Sequence, residues 1–408
     1  MNTKIRLTLM NFLQYAVWGA WLISLGAYLG NTLKFDGLQI GSFFATMGIA
    51  SLFMPAVMGI IADRWIPAQR LLGLCHLFAA GFITLAATRT DYNSLYTLVL
   101  LSVMFYMPTI ALSNSVAYNA LEKAGLDTVT HFPPIRVWGT VGFICAMWVV
   151  DLGKMGLSAT QLYFSATLGL ILGLYSFTLP NCPINRSGGG KSIVDLLGLR
   201  AFALFKQRKM AIFFIFSMLL GMSLQITNAF ADGYIKSFGD TGIHGAKYLG
   251  TFGVEHSTIL ISLSQISETL CILLIPLFLK RFGIKRVMLI AMFAWVLRFA
   301  LLGAGNPGPG VWMFILSMIV YGVAFDFFNI SGSLFVEKET SAAIRSSAQG
   351  VFMIMTNGLG ALIGSYLAGW VVNHYGWPLS WYLFAGFSLV VAIVFAVIFK
   401  YKHDPNRI

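Results

Sequence analysis

Five ionisable residues, Arg136, Asp232, Glu268, Arg298 and Asp326, stand inside long apolar runs. A charge in hydrocarbon is expensive, so such a residue faces a cavity or a partner and marks a place to look for function. Arg136 belongs to Phe132-Pro133-Pro134-Ile135-Arg136-Val137-Trp138-Gly139-Thr140-Val141-Gly142-Phe143. The two prolines can open a helix, and Arg136, Thr140 and Phe143 then follow at i, i+4 and i+7 along one face. That face presents a cation, a hydroxyl and an aromatic plane together. An arginine at a helix end can equally snorkel to lipid headgroups, and the residues alone leave these two readings level.

Three further segments are polar where hydrocarbon is expected. Gln225, Asn228 and Asp232 share a helical face, offering donors and acceptors side by side. Gln265 and Glu268, at i, i+3, lie in the run Ser262-Leu263-Ser264-Gln265-Ile266-Ser267-Glu268-Thr269. Amides can simply join helices, at ~0.6 kcal/mol per contact. Three amides beside a buried carboxylate exceed that need and point to a binding site. Tyr321, Phe325 and Phe328 line one side of a third segment that also holds Asp326 and Asn329. An aromatic stripe is ordinary packing in most helices; its neighbours Asp326 and Asn329 make it a cavity wall here. Arg298 is a candidate partner for Asp326.

The elements that must position these side chains are membrane helices. Of the 408 residues, 58% are hydrophobic and 10% charged, with a mean hydropathy of +0.78. No water-soluble exterior can be made from that composition. Apolar runs long enough to cross the bilayer fall near 8–31, 38–62, 71–88, 94–119, 134–151 and 158–179. A second set falls near 210–236, 257–279, 286–304, 311–335, 345–372 and 378–399. The fold class is an all-α membrane protein of twelve helices in two pseudo-symmetric six-helix bundles. The bundles span 1–180 and 210–408, with the site expected near the midplane between them and a polar cytoplasmic linker, 181–209, joining them. The heart of that linker is Ser187-Gly188-Gly189-Gly190-Lys191.

The net charge of +12 does not imply nucleic acid, because the basic residues gather in the loops of one membrane face. The opposite loops carry only Lys34, Arg89, Lys154, Lys236 and Lys247. The positive-inside rule puts both termini in the cytoplasm, with the bilayer as the surrounding partner. The first apolar run is too long for a cleavable signal. Cys75, Cys145, Cys182 and Cys271 form no CxxC pair, and the six histidines do not cluster, so no metal site is expected. No Walker loop and no nucleophile–base pair can be assembled, which leaves a transporter and not an enzyme or an ATP-driven pump.

An internal repeat supports this. Gly59-Ile60-Ile61-Ala62-Asp63-Arg64 follows the second span, and Lys280-Arg281-Phe282-Gly283-Ile284-Lys285-Arg286 stands at the matching place in the second half. The GxxxDR core resembles the gate loop of the major facilitator superfamily, with Asp63 and Arg64 as the gate residues. Gly59 would let two helices approach closely, and Asp63 would meet an arginine and a helix N-terminus.

The strings FLQYAVWGAWLISLGAY, FPPIRVWGTVGFI, LQITN, SQISETL, VYGVAFDFFNISGS and IRSSAQGVF closely resemble the bacterial nucleoside:proton symporters, over about residues 5–403. The resemblance implies substrate contacts at Arg136, Thr140, Phe143, Gln225, Asn228, Gln265, Glu268 and Phe325. It implies uptake of purine and pyrimidine nucleosides across the bacterial inner membrane by alternating access, by a monomer, with Glu268 and Asp326 as the acidic coupling candidates. No cofactor is expected; a proton gradient supplies the energy. The chemistry agrees: phenylalanine rings stack on any base, and amides read a base edge or ribose hydroxyls. The competing reading is a facilitator or symporter of another polar solute such as a sugar. A third, a membrane sensor that binds without moving its ligand, is opposed by the six-plus-six repeat.

Overall fold

The computed structural model of the chain describes residues 2–184, 199–244, 246–341 and 344–401. The long helices of the first half are α1 Thr3–Gly19, α2 Gly37–Arg64, α3 Ala68–Ala86, α4 Tyr92–Lys123, α5 Thr128–Leu152 and α6 Thr160–Ser176. Those of the second half are α7 Arg208–Ser237, α8 Ser257–Ala304, α9 Val311–Glu339, α10 Arg345–Met353, α11 Ala361–Tyr375 and α12 Leu379–Ile398. A π-helical turn, Ile354–Gly360, joins α10 to α11 into one span. No strand occurs among the described residues.

Among the described residues nine helices are long and apolar enough to cross a membrane. One of them, α8, is two spans: Gly283 has φ 75 and ψ 165, a conformation only glycine adopts without strain, and the chain turns there. The helices α1 and α6, at 17 residues each, fall just short of that measure and complete the twelve. The loop glycine of the repeated basic motif is therefore the hinge of a helical hairpin. The glycine-rich heart of the linker, Ser187–Lys191, lies outside the described residues.

Two local starts differ from the sequence expectation. Helix α5 begins at Thr128, so Pro133 and Pro134 lie within it. The cap is Asp127, whose carboxylate accepts from the Thr130 backbone N–H at 2.8 Å. An acidic cap upstream of the prolines fixes the helix before their missing N–H groups are felt. The first span starts at Thr3, runs as regular helix only to Gly19, and ends in the π turn Tyr28–Thr32.

Outward faces carry large apolar side chains such as Leu273, Val397 and Leu277, at 74, 69 and 63% exposure. Water would reject such a surface and lipid accepts it; the chain is an integral membrane protein. Lipid gives helices no hydrophobic reason to associate, so close backbone packing must do it. A Cβ at Gly142 would stand 2.1 Å from the Phe12 carbonyl oxygen, so α5 lies directly against α1. A Cβ at Gly322 would stand 2.6 Å from the Ser267 backbone, which holds α9 against the first arm of α8.

The chain forms two compact units. The first takes Met1–Phe35 and Thr46–Leu197, the second Asp36–Ala45 and Gly198–Ile408. The start of α2 falls in the second unit, where the Gly37 N–H donates to Asn373 Oδ1 at 2.5 Å.

Asp232 is corrected from cavity face to structural tie. It is 1% exposed and accepts from Lys236 Nζ at 2.7 Å, Ser257 Oγ at 2.5 Å and Thr258 Oγ1 at 3.1 Å. The lysine one turn along α7 and the hydroxyls at the start of α8 use up its acceptors, so the carboxylate binds two helices together.

Candidate functional site

In the first unit the Arg136 guanidinium lies over the Tyr15 ring, 3.9 Å from its centroid. Gly139, one turn beyond Arg136, makes the room: a Cβ there would be 2.6 Å from the Tyr15 ring and 2.8 Å from Arg136 Nη1. Arg136 is thus held against an aromatic face by a cation–π contact. Thr140 and Phe143 follow on α5 as expected. Phe143 meets the edge of Trp18 at 6.4 Å, and Trp18 packs on Tyr106 at 5.7 Å.

A buried polar chain sits behind this wall. His76 Nε2 donates to Gln14 Oε1 at 2.8 Å, and Gln14 Nε2 donates to Thr109 Oγ1 at 2.7 Å. The Tyr106 hydroxyl donates to the Gln14 carbonyl at 2.8 Å. His76 is completely buried and carries its proton on Nε2, because its partner is an acceptor. Its work is to fix Gln14 and, through it, Tyr106. A histidine that looks isolated in sequence is one member of a network drawn from α1, α3 and α4.

In the second unit Glu268 and Asp326 are near enough to interact through their charges. The close approach at Gly322 is what brings the polar turn of α8 beside Asp326. Asp326 is 4% exposed and its Oδ2 has no partner among the described residues. Arg298 does not pair with it. Its Nη1 donates to the Ser317 carbonyl at 2.7 Å, and its guanidinium lies 4.7 Å from the centroid of the Tyr321 ring. Tyr321 stacks in turn on Phe325, with centroids 5.7 Å apart and planes 7° from parallel. Gln225 and Gln265 each bury an Oε1 without a partner among the described residues. An acceptor left bare in this way is costly, and a donor from a ligand would satisfy it.

The second unit also contains a pocket with Phe325, Phe328, Trp295, Asn329, Thr356 and Asn357 in its wall. Gly221 and Leu224 of α7 complete one side. Gln225 and Asn228 stand one turn further along α7, at i+4 from those two.

A family model described as "Nucleoside H+ symporter" matches residues 1–404. The chain belongs to the nucleoside H+ symporter family. Nucleoside permease NupG of Escherichia coli K12 is 50% identical to this family member over 410 residues, covering 99% of this chain and 97% of the relative. The xanthosine permease of the same organism is 49% identical over 415 residues, covering 100% and 98%. A crystal structure of the nucleoside transporter NupG superimposes with a TM-score of 0.91 at 51% identity, covering 98% of this chain and 100% of that one. More distant transporters, including a POT family peptide transporter at 12% identity and TM-score 0.73, share the fold.

Each expected site residue of this symporter thus has a definite place. Arg136, Thr140 and Phe143 form one strip in the first unit; Gln225 and Asn228, Gln265 and Glu268, and Phe325 and Asp326 stand on three helices of the second. Asp63 and Arg64, expected at the gate, are exposed, and among the described residues neither is ion-paired. The close approach expected at Gly59 is absent: a Cβ there would meet nothing within 4 Å. Sequence reasoning missed Tyr15 and the Thr356–Asn357 pair. For the pair a signal existed, a hydroxyl and an amide inside an otherwise apolar run.

Proposed function

We propose that the chain imports nucleosides together with protons across a bacterial inner membrane by alternating access, with both termini in the cytoplasm. The observation that supports this is the family match along residues 1–404. The substrate contacts are Arg136, Thr140, Phe143, Gln225, Asn228, Gln265, Glu268 and Phe325. Glu268 and Asp326 carry the proton, and Asp63 and Arg64 serve the gate. The transporter acts as a monomer without a cofactor, and the proton gradient is its energy source. A neutral, flat ligand suits walls of aromatic rings and amides; a phosphate would need a cluster of cations that these segments lack.

Uptake of labelled uridine, adenosine, guanosine and xanthosine into proteoliposomes tests the reading. Accumulation is expected when the outside is made acidic, and it should collapse with an uncoupler. Uptake of sugars with no response to nucleosides would overturn it.

Two sets of variants test the contacts. Gln225→Ala and Asn228→Ala should each weaken nucleoside binding by about 0.5–1.5 kcal/mol, the net worth of one hydrogen bond, without unfolding the protein. Calorimetric titration reads this directly, and wild-type affinity in both would mean that the amides only join helices. Tyr15→Leu removes the ring under Arg136 and should cost about 0.5–2 kcal/mol of affinity, while Tyr15→Phe should retain most of it. Equal affinities for the leucine and phenylalanine variants would show that the cation–π contact does not position Arg136.

A further inference from the structure

The cavity of the second unit has a wall of one kind and two exceptions. Phe325, Phe328 and Trp295 supply aromatic surface, and among the described residues no ionisable side chain lines the space. The exceptions are the carboxamides of Asn329 and Asn357. Asn329 stands one helical turn beyond Phe325 on α9, and among the described residues its amide has no hydrogen-bond partner. Asn357 sits in the middle of the π turn, where its one recorded contact is a weak one, Nδ2 to Met353 Sδ at 3.9 Å. Thr356 differs: its hydroxyl donates to the Phe352 carbonyl at 2.9 Å and is already used. Among the described residues, the two polar side chains of the pocket that keep most of their hydrogen-bonding capacity are therefore both amides.

The backbone around them is built for position. A π turn inserts one extra residue into a helix and is found mostly at functional sites, because it redirects side chains that a regular helix would bury elsewhere. This one is clamped from α7. A Cβ at Gly221 would stand 2.1 Å from the Thr356 carbonyl oxygen, and a Cβ at Gly360 would stand 2.6 Å from the Met218 carbonyl oxygen. Nothing larger than hydrogen fits at either place, so the width of the cavity is set by backbone contact.

We propose that Asn329 and Asn357 are specificity-determining residues that read the hydrogen-bonding edge of a nucleobase held against Phe325 and Phe328. This rests on the nucleoside reading above and names the part of the substrate that the cavity takes. A carboxamide offers one acceptor and two donors, and two of them match an edge on which a carbonyl lies beside a ring N–H. Ribose hydroxyls would satisfy amides as well, but would leave the aromatic faces without a partner. A phosphate has no cation to meet here.

The test compares inosine, whose base edge carries a carbonyl and a ring N–H, with purine riboside, which lacks both. Initial proton-driven uptake of each is measured in proteoliposomes containing wild type, Asn329→Ala or Asn357→Ala. Each variant should raise KM for inosine about five- to tenfold, as loss of one hydrogen bond predicts, with Vmax and melting temperature unchanged. KM for purine riboside should move by less than about twofold, since that base never made the bond. Where an alanine variant does not fold, Asn329→Ser and Asn357→Ser carry the same comparison. An equal rise for both nucleosides, or none for inosine, overturns the proposal while the transport reading stands. A wild type that takes up neither nucleoside overturns both.

Discussion

Replacing Glu268 by glutamine is expected to abolish accumulation driven by a pH gradient while leaving exchange of nucleoside across the membrane in place. A nucleoside carries no net charge, so the gradient can act on it only through a group of the protein that gains and loses a proton. Each unit of pH difference supplies ~1.4 kcal/mol per proton, enough for about tenfold accumulation in a one-proton symporter. Glutamine keeps the size and the hydrogen-bonding reach of Glu268 but cannot titrate. The geometry favours Glu268 for this work. It sits in a polar turn of an apolar span, Ser264 to Thr269, at the close contact with Gly322 that brings Asp326 near. In the glutamine variant, inside and outside concentrations should become equal under an imposed gradient. Counterflow of labelled against unlabelled nucleoside should persist. Concentrative uptake by the variant would remove Glu268 as the coupling site and pass the role to Asp326.

The legible part of this protein was whatever a single helix decides. Apolar runs located the spans, and periodicity put Arg136 with Thr140 and Phe143, and Gln265 with Glu268. The basic motif around Gly283 was visible as a repeat, although only the backbone shows that its glycine makes the turn, with φ 75. What one helix cannot decide was not legible. Asp232 has the same periodicity as Gln225 and Asn228, yet it is consumed by Lys236, Ser257 and Thr258. Tyr15 meets Arg136 from another helix, and nothing in either segment announces the other. His76 becomes part of a network only when α1, α3 and α4 are packed. The π turn at 354–360 lies against α7 at Gly221 and Gly360, and its Thr356 and Asn357 mark a polar spot without announcing the turn.

Arg298→Met is expected to leave the melting temperature within a few degrees of wild type and to lower proton-driven uptake by about tenfold or more. Arg298 is 2% exposed, with no carboxylate in salt-bridge range among the described residues. Burying a cation costs several kcal/mol even after relaxation. Against this stand the bond to the Ser317 carbonyl at 2.7 Å, worth about 1.5–3 kcal/mol, and the Tyr321 ring at 4.7 Å, worth about 2. The Nε proton finds no acceptor among the described residues. Gain and cost nearly cancel, so a neutral side chain of similar length, which needs neither, gives up little stability. Alanine would be the wrong test, because it leaves a hole where the long side chain packed. The charge is then retained for what it does to its neighbours. Tyr321 stands in the field of Arg298, Glu268 and Asp326 together, so the cation belongs to the setting in which the acid pair exchanges its proton. Arg298→Lys restores a charge without the planar fork, and it should recover part of the uptake lost in the methionine variant. A methionine variant that melts far below wild type would make Arg298 a scaffold residue. One that accumulates nucleoside normally would show that the buried charge is not needed for coupling.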